Sequence, residues 1–214
     1  SDADHDLLAQ LLSAEMAMAH NDLKAAATAY GKATNLTADP QVAGRAAALA
    51  IAVRDFPAAE RGIARWQAVG GKPAQLAEAR AQLAVGRGDT DEARRQLLIL
   101  VGTRDPEAWR QFGRVLVGAR DQAQAGQLLT DVATPQRLPA DPQVWLAMSE
   151  LGDKLGRSAY AQQLAEAALR RFKTADTYAW AAQMRFKVGD QAQGRALFKQ
   201  ALAKDPKNLR LRLA

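Results

Sequence analysis

One short motif recurs along this chain at a nearly constant interval, and that interval constrains the fold more than any single residue. A Gly, Asn or Arg precedes an Asp (an Arg in the fifth copy). A three-residue linker and a small residue follow. The copies are Asn21-Asp22…Ala26, Arg54-Asp55…Ala59, Gly88-Asp89…Ala93, Arg120-Asp121…Ala125, Gly156-Arg157…Ala161 and Gly189-Asp190…Gly194. Their small residues are spaced 33, 34, 32, 36 and 33 apart. Four residues beyond each lies Tyr30, Ile63, Leu97, Leu129, Ala165 or Phe198, and three further on Ala33, Trp66, Leu100, Val132, Ala168 or Ala201. Positions i, i+4 and i+7 share one face of a helix. Self-similarity at this period marks stacked supersecondary units, each burying its apolar face on its neighbours.

The turn chemistry agrees. Gly tolerates φ > 0, and Asp caps the helix that follows. A small residue at the start of the second helix lets two helices approach closely. Pro40, Pro73, Pro106, Pro142 and Pro206 sit near repeat boundaries, where a first helical turn accepts Pro. Pro57 falls in a first turn as well. Ala133 to Asp141, with Pro135 and Pro139, gives the longest spacing and predicts a longer loop at which the array flexes. Composition supports an all-helical reading: the chain is rich in Ala, while Ile occurs only at 51, 63 and 99. Ala is the strongest helix former, and β-branched residues favour strands.

This pattern resembles the tetratricopeptide repeat, a helix-turn-helix of about 34 residues with Trp, Leu, Gly and Tyr-like positions in helix A, then Ala, Phe/Tyr and Ala in helix B, then Pro. Trp109, Phe112, Gly113, Leu116, Asp121, Ala125, Leu129 and Val132 carry it best. Tyr178, Ala181, Ala182, Gly189, Asp190, Phe198, Ala201 and Pro206 carry it nearly as well. The implied fold is an all-α, right-handed α-solenoid of about six repeats: 7–39, 40–73, 74–105, 106–141, 142–174 and 175–208. Residues 1–6 read as a tail. Residues 209–214 read as the start of a further, truncated helix, as in a piece excised from a longer protein. In helix A of the fourth repeat, Trp109, Phe112, Gly113 and Leu116 form one buried stripe.

The residue inventory leaves little for chemistry. There is no Cys and there are two His, at 5 and 20, so thiolate metal sites and Ser-His-Asp hydrolysis lack parts. His20 reads as a helix C-terminal surface residue. Gly86-Arg87-Gly88 follows a helix pattern rather than a strand, so a phosphate loop is not indicated. No cofactor, no metal and no catalytic residue is expected; the chain reads as non-enzymatic. Net charge is +6. The aromatics sit at repeat core positions rather than among the cations, which argues against nucleic acid. No apolar run reaches the ~20 residues of a membrane span.

The resemblance implies that function lies on the concave face, which helix A residues line. The fifth and ninth repeat positions, with the twelfth or thirteenth, place Leu11, Glu15, Met18, Glu78, Gln82, Arg110, Arg114, Glu150, Lys154, Gln183, Phe186 and Lys187 there. Arg110 and Arg114 are expected near Glu150. This mixed surface suits a protein or peptide partner. The chaperone-tail clamp of some family members needs Lys, Asn, Asn, Lys and Arg where this chain has Leu11, Glu15, Arg45, Glu78 and Ala79, so that activity is not expected.

A narrower resemblance rests on Leu11-Leu12-x-Ala14-Glu15 and on Asp39 to Ala46 (Asp-Pro-x-Val-Ala-x-Arg-Ala). The first half is similar to the N-terminal region of periplasmic tetratricopeptide outer-membrane lipoproteins of proteobacteria. Some of these are adaptors for a carboxyl-terminal processing protease that trims cell-wall hydrolases. The implied role is an envelope scaffold that delivers a protein substrate to a protease, with a lipid anchor upstream. A scaffold of an exopolysaccharide secretion machine and a cytoplasmic peptide-binding regulator are the alternatives.

Overall fold

The structure is a computed structural model that describes residues 1–208. The further helix expected at 209–214 lies outside the described residues. Twelve helices, and no strands, occur among the described residues: α1 (Asp2–Ala19), α2 (Leu23–Ala33), α3 (Pro40–Ala52), α4 (Phe56–Ala68), α5 (Pro73–Arg87), α6 (Thr90–Gly102), α7 (Ala108–Val117), α8 (Gln122–Val132), α9 (Pro142–Lys154), α10 (Ser158–Phe172), α11 (Ala175–Lys187) and α12 (Gln191–Lys204). The fold is all-α, with two helices in each sequence period, as in a tetratricopeptide array. Residues 1–6 are not a tail. Ser1 caps α1 and exchanges side-chain bonds with Asp4, so the helix starts at Asp2.

The repeated turn forms as its residues dictate. Asn21, Arg54, Gly88 and Gly189 take positive φ. The Asp that follows each caps the next helix through bonds of 3.1 Å: Asp22 to the Ala25 N–H, Asp55 to Ala58, Asp89 to Glu92, and Asp190 to Gln193. Asp121 caps α8 at the same distance through Gln124. The fifth copy differs, because Arg157 stands at the cap and gives no side-chain bond. Pro40, Pro73 and Pro142 open α3, α5 and α9, and Pro57 lies in the first turn of α4.

The chain forms two compact units, Ser1–Arg120 and the part that begins at Asp121. The division falls inside the fourth repeat rather than at the 133–141 loop. In the first unit α1 packs on α2, α3 on α4 and α5 on α6, and α7 packs on both α5 and α6. Its core includes Ala47, Ala50, Ala59, Ile63, Leu76 and Leu83. The small residues Ala26, Ala59 and Ala93 are fully buried, as close helix approach requires. Gly62 is tighter still: a Cβ there would lie 3.0 Å from the Ala47 Cα. Gly62→Val is therefore expected to lower stability by about 1–3 kcal/mol through overpacking, read as a lower thermal midpoint.

In the second unit α9 packs on α10 and α11 on α12. The loop over 133–141 carries contacts of its own. Leu138 in it is buried. Tyr160 Oη donates to the Ala133 carbonyl at 2.7 Å and Trp145 Nε1 to the Pro139 carbonyl at 2.7 Å. Burial raises the Tyr160 phenol well above its ordinary value, so it remains a donor.

One carboxylate couples the fold to pH. Arg95 grips Glu92 with two bonds, Nε at 2.8 Å and Nη2 at 2.7 Å, and Gln96 Nε2 adds a third at 2.9 Å. The Arg95 bonds first, then Gln96, pull the Glu92 carboxyl from 4.5 down to about 2. A depressed folded-state value contributes stability above pH 4.5 that is lost as the pH falls toward 2. The pair is partly exposed, so screening keeps the effect small. Glu92→Gln should narrow the difference between urea midpoints measured at about pH 5 and about pH 2.5. An unchanged difference would deny the linkage.

Candidate functional site

The first unit carries a groove of about 800 Å³ along α3, α5 and α7, closed at one side by Trp66 and the Gly70-Gly71-Lys72 turn. Helical periodicity builds it. Gln41, Arg45 and Ala48 share one face of α3, Gln75, Glu78 and Gln82 one face of α5, and Gln111 and Arg114 one face of α7. Trp66 is held close by its neighbours, because a Cβ on Gly44 would lie 3.0 Å from the indole and one on Gly71 only 2.7 Å.

The charges are organised around Glu78, whose side chain is only 13% exposed. Arg114 Nε and Nη2 donate to the two carboxylate oxygens at 3.0 and 3.1 Å, and Gln111 Nε2 adds a bond at 3.1 Å. This paired geometry leaves the carboxylate satisfied and holds the Arg114 guanidinium more firmly protonated than usual. Gln111 Oε1 is buried and has no partner, so the groove wall carries an unused acceptor. At the flank, Arg45 Nη1 donates to Tyr30 Oη at 3.1 Å and to Glu15 Oε1 at 3.3 Å, and Tyr30 donates to Glu15. Burial first, and the bond to Glu15 second, raise the Tyr30 phenol.

Of the residues placed on this face by repeat position, Glu78, Gln82 and Arg114 line the groove. Glu15 joins it through Arg45. Arg110 is outside it and pairs with Glu107 at 3.0 Å. Arg114 takes Glu78 of the preceding repeat as its carboxylate, not Glu150. Leu11 is a core contact, packed on Ala14, Tyr30 and Ala46, and Met18 is half-buried. In the second unit Glu150 pairs with Lys154 at 3.5 Å, and Lys187 pairs with Asp153. Gln183 is exposed. Phe186 packs on Ala182 and Leu197, against the space left by Gly194, so it holds α11 to α12.

Repeat position alone missed Gln41, Trp66, Lys72, Gln75 and Gln111. A usable signal was present: Gln41 and Gln75 stand at the second repeat position, and Arg45 and Gln111 at the sixth. The groove-lining stripe is thus positions two, five or six, and nine, turned slightly from the stripe read from the sequence. Among the described residues no group of three or more His, Asp or Glu could hold a metal ion, and no helix is long and apolar enough to cross a membrane.

No family model matches the chain, and no curated protein matches it. Solved structures do. The chain is similar to PilF of Pseudomonas aeruginosa at 16% identity, TM-score 0.45, covering 100% of this chain and 98% of that one. It is similar to a thermophilic TPR protein of Thermus thermophilus at 20% identity, TM-score 0.43, covering 82% and 96%. A tetratricopeptide repeat protein of Parabacteroides merdae matches at 13% identity, TM-score 0.43, covering 98% and 97%.

Proposed function

We propose that this chain is a non-enzymatic scaffold that holds a polypeptide segment in the groove of α3, α5 and α7. The observation that carries the reading is the groove's lining: four Gln carboxamides at 41, 75, 82 and 111 around one satisfied ion pair. A carboxamide both donates and accepts, so a row of them matches the alternating N–H and C=O groups of an extended peptide. Trp66 supplies an apolar wall for one side chain. A small charged metabolite would call for convergent unpaired charge, whereas here Arg114 and Glu78 neutralise each other.

The setting we propose is the bacterial envelope, with the bound protein delivered to a periplasmic protease. The Leu11 to Glu15 and Asp39 to Ala46 resemblance supports that setting. Fractionation of cells making the full-length protein tests it, and recovery in the cytosol alone would refute it.

The groove itself is tested by selecting binders from a random peptide-display library and titrating them. Gln75→Ala with Gln82→Ala should weaken the selected peptides by about 1–3 kcal/mol with little change in the thermal midpoint, since Gln75 is exposed and Gln82 only half-buried. A photo-crosslinker at Gln82 should capture the peptide, and one at Gln127 in the second unit should not. Equal affinity in the double variant, or equal capture at both positions, would put the binding face elsewhere.

A further inference from the structure

A second cleft lies in the first unit, between α2 and α4, over the C-terminal half of α3. It encloses about 770 Å³ and shares no lining residue with the groove above. Its floor is made of small side chains: Ala27, Gly31, Ala46, Ala50, Ala58 and Gly62. Its walls carry five cations, Lys24, Lys32, Arg54, Arg61 and Arg65. Among the described residues that line it, Asp55 is the one carboxylate, and that group already caps α4 through the Ala58 N–H.

Two of the cations have structural work. Arg65 donates to the carbonyls of Thr34 and Thr37 at 3.1 and 2.9 Å, and Arg54 donates to the Gly86 carbonyl at 3.0 Å. Lys24, Lys32 and Arg61 take part in no ion pair among the described residues. The cleft therefore gathers five positive charges against one carboxylate.

A buried hydroxyl in the lining points the same way. Thr34 is 3% exposed and its Oγ1 has no hydrogen-bond partner. Thr103 occupies the same C-cap position in the next repeat but one, and its hydroxyl donates to the Leu100 carbonyl at 2.7 Å. Thr34 could be satisfied in that way and is not. An unsatisfied buried polar group is costly, and Thr34 belongs to the lining of this cleft.

We propose that this cleft binds an acidic peptide segment of a partner protein. Its carboxylates pair with Lys24, Lys32 and Arg61, and its backbone lies on the alanine and glycine floor. The chemistry selects this class over others. Lys24 and Lys32 are about 12 Å apart along α2, a span for several carboxylates rather than one anion. No aromatic ring lines the cleft, so bases have nothing to stack on. The cations stand on the walls of a recess, which a flat lipid surface does not enter.

The test uses fluorescence anisotropy of a fluorescein-labelled polyglutamate peptide, about eight residues long so that it overspans the cleft, titrated with the whole chain. Parallel probes are a polyglutamine peptide of the same length, oligothymidylate and phosphatidylglycerol vesicles. Lys24→Glu with Arg61→Glu should weaken polyglutamate binding about tenfold or more. Arg195→Glu with Lys199→Glu, the same charge change in the second unit, should leave it within about twofold. Gly31→Glu guards against misfolding, because a Cβ there meets nothing within 4 Å and Gly is itself unfavourable in a helix. That variant should melt no lower than wild type and still lose the peptide. Absence of polyglutamate binding, equal losses in the control pair, unchanged binding in Gly31→Glu, or tighter binding of oligothymidylate or vesicles would each overturn the proposal. Gln75→Ala with Gln82→Ala should leave polyglutamate binding unchanged, which separates this cleft from the groove.

Discussion

Phe112→Ala should lower the stability of the chain by about 3–5 kcal/mol, the cost of emptying a fully buried aromatic position. The ring lies in α7 at 0% exposure, where α7 packs on α5 and α6. Removing it forfeits the transfer energy of a whole aromatic side chain, and the close-packed neighbours cannot fill the space. Trp109 is the informative contrast. It matches the leading aromatic position of the repeat, yet it is only half-buried and meets Phe112 edge-on, with ring centroids 5.3 Å apart. Trp109→Ala should cost less, with the edge-to-face contact contributing about 0.5–1.5 kcal/mol. Urea unfolding of the two variants beside wild type orders them. A larger loss for Trp109→Ala would show that the stripe is centred on the indole after all.

The second large effect is expected in the other unit, at Ser149. Its hydroxyl is completely buried, donates to the Ala161 carbonyl at 2.7 Å and accepts from Trp180 Nε1 at 2.8 Å. One small side chain therefore ties α9 to α10 and to α11. Ser149→Ala changes little volume but leaves Trp180 Nε1 without its acceptor, while the Ala161 carbonyl, inside α10, keeps its helical bond. One buried bond lost and one donor left unpaired, at roughly 1–3 kcal/mol for an unsatisfied group, should cost about 1–3 kcal/mol, because half-buried Trp180 can recover part of its share from water. Thermal unfolding with Trp fluorescence should show an earlier transition and an altered Trp180 environment. Ser149→Thr, which keeps the hydroxyl, should lose less than Ser149→Ala if the hydrogen bonds dominate, and more if packing does.

The groove was partly legible in the sequence. Helix periodicity put Glu78, Gln82 and Arg114 on one side of their helices, and there they are. It could not choose between Arg110 and Gln111, which are adjacent on the helix and differ by about 100°. Apolarity usually settles such a choice, but Gln111 is polar and nonetheless buried, at 5% exposure. Its burial follows from the carboxylate of Glu78, which comes from another repeat. Phe186 differs in the opposite sense, because it packs into the cluster between α11 and α12. Its repeat position placed it on the expected concave face, and the absent side chain of Gly194, eight residues later, left a space that the ring fills.

The number of helices, their order and the turns between them were legible in the sequence, apart from the start of α1. Those depend on local causes: the period of apolar residues, Asp at the caps, Gly or Asn where φ turns positive, and Pro in first turns. Each of these acts within about one helical turn of its own residue, so a single chain displays them without its fold. The tertiary structure alone decided which charges pair, where the two units divide, and which clefts remain open. Arg114 could have met any nearby carboxylate and meets Glu78, 36 residues away. Lys24, Lys32 and Arg61 look like any other basic residues in the sequence. They form a cleft only because α2 and α4 stand apart over the small side chains of α3, a spacing set by the packing of whole helices and by no one residue.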